Sequence, residues 1–168
     1  MVDERNRKNP QRRRKNRQSE KNVKKLTALE ADNKLNNVKN FGGIVRISDL
    51  KNLKIISYPV ALLVHSYDHW IGIYISEEAV EIMDSSGIFG SKDIASSLRK
   101  FLCAQFYNKQ FLCTPILQSP SASTCGYYAV LFIFLRLQKH LSISKFSSIF
   151  SSDLNKNDSI ILDLYKCL

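Results

Sequence analysis

One stretch constrains this chain more than any other: Gln118-Ser-Pro-Ser-Ala-Ser-Thr-Cys125-Gly126, followed by the apolar run Tyr127 to Leu137. Residues 119–124 are small, polar and turn-forming, which reads as a loop. The run behind them is apolar nearly all round at its start and extends as a helix to about His140. A helix of that composition is buried on every side. The remaining elements must therefore wrap around one central helix, and that helix begins at a cysteine.

At 168 residues the chain is long enough for one ordinary core plus an extension, and an apolar fraction of 44% excludes wholesale disorder. Its net charge of +10 is unevenly placed. Residues 1–40 hold thirteen Lys/Arg against five Asp/Glu, a net of +8, while residues 41–168 hold twelve against ten. The basicity belongs to an N-terminal extension, residues 1–40, expected to be solvated and disordered, and the folded domain to residues 41–168. The densest block is Arg12, Arg13, Arg14, Lys15 and Arg17. Such a cluster binds nucleic-acid phosphates through counterion release or serves as a nuclear-import signal, and sequence does not separate the two. Val23 to Leu35 carries the helical spacing Leu26, Leu29, Leu35, enough for a marginal helix.

The N-terminus is charged and lacks an apolar core segment, so no signal peptide is read there. The four cysteines (Cys103, Cys113, Cys125 and Cys167) are accordingly expected as free thiols in an intracellular, non-secreted protein. The longest uninterrupted apolar stretch, Tyr127 to Leu135, is about half of the ~20 residues that a membrane span requires, and no membrane partner is expected.

Along the chain, Phe41-Gly42-Gly43 is a turn signal and marks the domain boundary. Ile44 to Ile47 reads as a short strand and Ser48-Asp49-Leu50 as a capped helix start. Pro59–Val64, Trp70–Ile75 and Val80–Met83 read as three strands joined by short turns, hence an antiparallel meander. After the loop from Asp84 to Gly90, Ser91 caps a helix with Ile94, Leu98, Phe101, Leu102 and Phe106 on one face. Phe111 to Leu117 is a fourth strand, and Ile160 to Tyr165 one more strand or helix. The fold class is α+β: a small, mostly antiparallel sheet packed by helices, with one helix central.

Chemistry enters through Cys125. A nucleophilic cysteine must be a thiolate, and a helix N-terminus and a neighbouring imidazolium both favour that form. Cys125 opens a helix. His69, at the start of a strand, supplies an imidazole able to act as base and then as acid to a leaving amine. Asp84, at the end of the next strand, can orient that imidazole. Gln118 can offer its side-chain amide to an oxyanion, alongside the backbone N–H of Cys125. Gly126 allows a substrate backbone to approach, and Trp70 either fills the core or shapes the site. Glu81 competes weakly as the acid and His65 as the base.

The ordered set His69-Trp70, Asp84 with Gly87, Gln118, six residues, then Cys125-Gly126 entering an apolar helix resembles the adenovirus maturation protease (adenain) family. Its relatives include the proteases of Maverick/Polinton elements and, more distantly, the Ulp-type proteases of ubiquitin-like modifiers. The resemblance spans roughly Phe41 to His140. It implies a papain-like α+β fold and a cysteine endopeptidase in which His69 is the base, Asp84 the orienting acid, Gln118 the oxyanion donor and Cys125 the nucleophile. Adenain uses Glu as the acid; the Asp here is closer to the transposon and Ulp-type pattern. Implied substrates are capsid and core precursor proteins cut after small residues, in the host nucleus or the virion. No small-molecule cofactor and no metal is implied. DNA and a peptide that attaches through a disulfide are the implied activators, with Cys103 and Cys113 candidates by region only. Two other functions fit the same residues. One is deconjugation of a ubiquitin-like modifier; the other is an inactive, basic, nucleic-acid-binding assembly protein.

Overall fold

A computed structural model describes residues 23–87 and 92–168, with only the backbone of Lys92 and Asp93. The basic block Arg12 to Arg17 and the cap expected at Ser91 lie outside the described residues. In chain order come helix α1 (Ala28–Leu35), strand β1 (Phe41–Arg46), a 3-10 turn (Ile47–Asn52), and strands β2 (Val60–Ser66), β3 (His69–Ile75) and β4 (Ala79–Met83). Helix α2 (Lys92–Phe106), strand β5 (Gln110–Cys113) and helices α3 (Cys125–Lys139), α4 (Ile143–Ser147) and α5 (Leu154–Lys166) follow.

The five strands form one sheet in sequence order. The meander β2-β3-β4 is antiparallel, as its short turns require, but β1 joins β2 and β5 joins β4 in parallel. The sheet is therefore mixed, and the antiparallel expectation describes only its centre. Strand β3 is buried almost throughout because both faces of the sheet are covered. Trp70 and Tyr74 face α3, while Ile71, Ile73 and Ile75 face α2. Gly72 lets the central helix sit close: a Cβ there would lie 3.2 Å from the Ala129 carbonyl oxygen and from Phe132. In α3, residues 128–133 are buried without interruption. The five large side chains among them contribute on the order of 10 kcal/mol of gross burial, at roughly 1.5–3 kcal/mol each. The helix expected from the run after Cys125 is present and central.

Four expectations change. The extension does not reach residue 40, because Leu26, Ala31 and Leu35 are buried in the core and α1 packs on the domain. Phe41-Gly42-Gly43 is no boundary turn but the start of β1, where the register against β2 shifts. Strand β5 stops at Cys113: Pro115 has no N–H to give a ladder, and the N–H groups of Leu117 and Gln118 both turn to the Ser85 carbonyl. The C-terminal segment holds two helices rather than one short element. Ser142 and Asp153 cap them, each side chain accepting the N–H three residues on.

Candidate active site

Because β3 and β4 run antiparallel, the start of β3 and the end of β4 lie at the same end of the sheet. That places His69 Nε2 2.8 Å from Asp84 Oδ1. The same Oδ1 accepts the Ser86 N–H at 3.1 Å, so Asp84 both forms a turn and holds the imidazole. Its backbone is pinned from the opposite side. The Asp84 N–H donates to Thr114 Oγ1, and that hydroxyl donates to the Asp84 carbonyl oxygen, both at 3.1 Å. Asp84 is buried, and His69 keeps 20% of its side chain exposed.

Cys125 is the first residue of α3 and is buried. Its thiol donates to the Asp68 carbonyl oxygen at 3.7 Å, the residue before His69. Burial pulls the His69 imidazole down, but hydrogen bonds to Asp84 and Cys125, and the charges of both, outweigh it and hold the ring at about 10 against an ordinary 6.5. At neutral pH the ring is a cation between Asp84 and Cys125. With Nε2 taken by Asp84, Nδ1 is the ring nitrogen left to exchange a proton with the thiol.

Thr124, the residue before α3, does not cap the helix with its side chain. The N–H groups of the first turn are left without that partner, and such donors at a helix N-terminus stabilise negative charge. Gln118 is buried and its carboxamide is oriented from both ends. Ser85 Oγ donates to Oε1 at 2.8 Å, and Nε2 donates to the Ala122 carbonyl oxygen, which leaves Nε2 a second proton to give. Ser85 adjoins Asp84, so Gln118 is tied to the same corner as the imidazole.

The two weaker candidates are engaged elsewhere. Glu81 accepts from Arg136 Nε at 2.9 Å, and Arg136 stacks over Tyr74. His65 stacks on Trp70, ring centroids 4.2 Å apart. Trp70 is buried in the core and also lines a cavity of about 50 Å³ beside Cys125. Lys25, Leu26, Asp68 and Gly126 line it too. A Cβ on Gly126 would meet Leu26 Cβ at 2.9 Å and Trp70 Cδ1 at 3.2 Å, so the glycine is required first by packing.

Sequence reasoning missed the wall opposite Trp70. Residues 24–27 run past Cys125, with the Lys24 carbonyl accepting from Tyr127 and Lys25 Nζ 3.1 Å from Asp68 Oδ1. The signal for this segment was readable: Thr27 and Glu30 form a reciprocal capping box that starts α1. Also missed were Asn157 and Asp158 of α5, which hold the loop between Gln118 and Cys125. They interrupt the apolar pattern of their helix and carry no motif.

No protein-family model matches the sequence, and no curated protein does. Among solved structures the chain is similar to the central domain of the uncharacterized Lpg1148 protein from Legionella pneumophila, at 11% identity and a TM-score of 0.52, over 86% of this chain and 95% of that one. Similar structures also include ChlaDub1 from Chlamydia trachomatis, at 12% identity and a TM-score of 0.43, over 65% and 58% of the two chains. A third is the SUMO protease Ulp1 with its catalytic cysteine oxidized to a sulfinic acid, at 12% identity and a TM-score of 0.42, over 84% and 80%. Spanning nearly all of both chains, the likeness to the Legionella domain shows a shared α+β fold.

Proposed function

We propose that this chain is a cysteine endopeptidase. The observation that carries the reading is His69 held between Asp84 and the thiol of Cys125 at the start of α3. In the proposed reaction the Cys125 thiolate attacks the scissile carbonyl carbon, and the oxyanion takes hydrogen bonds from Gln118 Nε2 and the Cys125 N–H. The His69 imidazolium then gives its proton to the leaving amine as the C–N bond breaks, which leaves a thioester. Neutral His69 next takes a proton from water, and the resulting hydroxide displaces the acid and frees the thiolate. Asp84 keeps the ring oriented throughout.

The small cavity between Trp70 and residues 25–26 supports cleavage beside small residues such as glycine. The likeness of the ordered motif to the adenain family extends the proposal to capsid or core precursors of a virus or virus-like element as substrates. DNA, bound by the basic N-terminal segment, is proposed as a partner.

The test uses the cysteines already present. Cys103, Cys113 and Cys167 are exposed, whereas Cys125 is buried, so exposure alone makes Cys125 the slowest to alkylate. An activated thiolate inverts that order. Iodoacetamide at neutral pH, followed by peptide mass mapping, should modify Cys125 first, and His69→Ala should abolish the preference. Cys125→Ser should fold normally and hydrolyse nothing. If Cys125 is the slowest of the four in the wild-type chain, with and without duplex DNA, the proposal is wrong.

A further inference from the structure

We propose that Asp158, assisted by Asn157, is a positioning residue that fixes the spacing between the oxyanion donor and the nucleophile by clamping the loop that joins them. The inference rests on the cysteine-peptidase reading and adds to it a residue from the far end of the chain. Asp158 Oδ2 accepts the Ser119 N–H at 3.0 Å, and Oδ1 accepts the Thr124 hydroxyl at 2.6 Å and the Tyr128 hydroxyl at 3.4 Å. Ser119 directly follows Gln118, and Thr124 directly precedes Cys125. One carboxylate therefore ties the two ends of the loop together without touching either reacting group. Asn157 adds a third tie, donating from Nδ2 to the Leu117 carbonyl oxygen at 3.1 Å, on the other side of Gln118.

The chemistry of the clamp is specific. Asp158 is a buried carboxylate whose partners are three neutral donors, and among the described residues it forms no ion pair. The positive end of the α3 dipole lies beside Thr124 and offsets part of its charge. The bond to Asp158 is also what turns the Thr124 hydroxyl away from the first helical N–H groups, leaving them uncapped at the nucleophile. An oxyanion hole needs its donors fixed before charge develops, because a donor that must swing into place contributes less to the transition state. Gln118 is a long, rotatable side chain on a loop. Its backbone is held at Ser85, Ser119 and Leu117, two of these three through α5.

Asp158→Asn keeps an oxygen for Thr124 but sets an NH2 group against the Ser119 N–H. Thr124→Val keeps the shape and removes the hydroxyl donor. Three readouts separate positioning from mere stability: hydrolysis of a fluorogenic Gly-Gly peptide anilide, iodoacetamide alkylation of Cys125, and hydrogen exchange at the Ser119 amide. Alkylation needs the thiolate–imidazolium pair but no oxyanion hole. Asp158→Asn should lower kcat/KM about a hundredfold, the cost of losing one oxyanion donor, while alkylation changes by less than about threefold. Exchange at Ser119 should speed up. Thr124→Val should give a smaller loss of the same kind, and the double variant should fall short of the product of the two, because both act through one carboxylate. Equal losses in hydrolysis and alkylation, unchanged hydrolysis, or unchanged exchange at Ser119 would each overturn the clamp. Failure of the peptidase reading is separate: it shows in the wild-type alkylation order, while exchange at Ser119 judges the clamp without any turnover.

Discussion

Replacing Asp84 by Asn removes a charge and almost nothing else. The amide oxygen can still accept from His69 Nε2 and from the Ser86 N–H, the two bonds made by Oδ1. What goes is the charge that keeps the imidazole protonated at about 10. An opposite charge at hydrogen-bond distance moves a pKa by roughly 1–3, so its loss should bring His69 down by ~2, to ~8, with Cys125 supplying the remaining rise. That is ~3 kcal/mol less stabilisation of the imidazolium. The sign follows from linkage. His69 is raised in the folded state, so its stabilisation is complete below the unfolded value of 6.5 and is lost as pH rises through about 10. The wild-type chain should exceed the variant by about 3 kcal/mol in urea unfolding at neutral pH, and the gap should close above pH ~10. In the proposed reaction the imidazolium delivers the proton to the leaving amine, so the basic limb of kcat/KM follows it. On the Gly-Gly peptide anilide, that limb should stand near pH 10 in the wild type and near ~8 in Asp84→Asn, with a rate loss smaller than that of His69→Ala. A basic limb that stays near 10 in a folded Asp84→Asn variant refutes the reasoning, because the proton on His69 would then not depend on the carboxylate.

Gly126→Ala sets two effects against each other. Alanine favours a helix over glycine by ~1 kcal/mol, but the new Cβ would sit 2.9 Å from Leu26 Cβ, which is too near its own backbone to swing aside. Overpacking of ~1–3 kcal/mol should win, with a lowered Tm that Leu26→Ala, which keeps the clashing Cβ, does not restore. Arg136→Ala strands the buried carboxylate of Glu81 and should cost about 3–5 kcal/mol in chemical unfolding while kcat/KM of the folded fraction stays unchanged. A selective loss of activity would return Glu81 to consideration as the acid. Deleting residues 12–17 takes away the five cations of the Arg12 to Arg17 block. The salt slope of duplex-DNA binding should flatten by ~4–5, and an unchanged slope would put the DNA contacts on the folded domain.

How much of this was legible follows from where each partner lies along the chain. Strand β3 could be read because Trp70 to Ile75 is β-branched and aromatic, and α3 because its apolar run is too long for a strand. Two strands with a short turn between them are antiparallel, which was enough to put His69 beside Asp84. The parallel joins of β1 and β5 could not be read, since each depends on a crossover whose direction local pattern does not encode. Nor could the bonds Ser85–Gln118 and Asp158–Ser119, whose partners lie 33 and 39 residues apart. Residues 24–35 were hidden by composition: the charged surface of α1 dominates, and only Leu26, Ala31 and Leu35 reach the core.

Two buried carboxylates serve this site, and their partners assign them different work. Asp84 faces an imidazole whose charge depends on it, so what it supplies is potential. Asp158 faces a backbone N–H and two hydroxyls, none of which carries charge at neutral pH, and burial followed by the charge of Asp158 pushes the Tyr128 phenol further from ionising. What Asp158 supplies is geometry. The same Asp→Asn replacement at the two positions should therefore act on different features of one pH profile. At Asp84 it moves the basic limb. At Asp158 it lowers the plateau and leaves the limb in place, because the imidazole keeps both of its partners. A site assembled this way divides its two requirements, a proton held ready and an oxyanion pocket held still, between distant parts of the chain. The first is met by the ends of two adjacent strands and the second by the last helix.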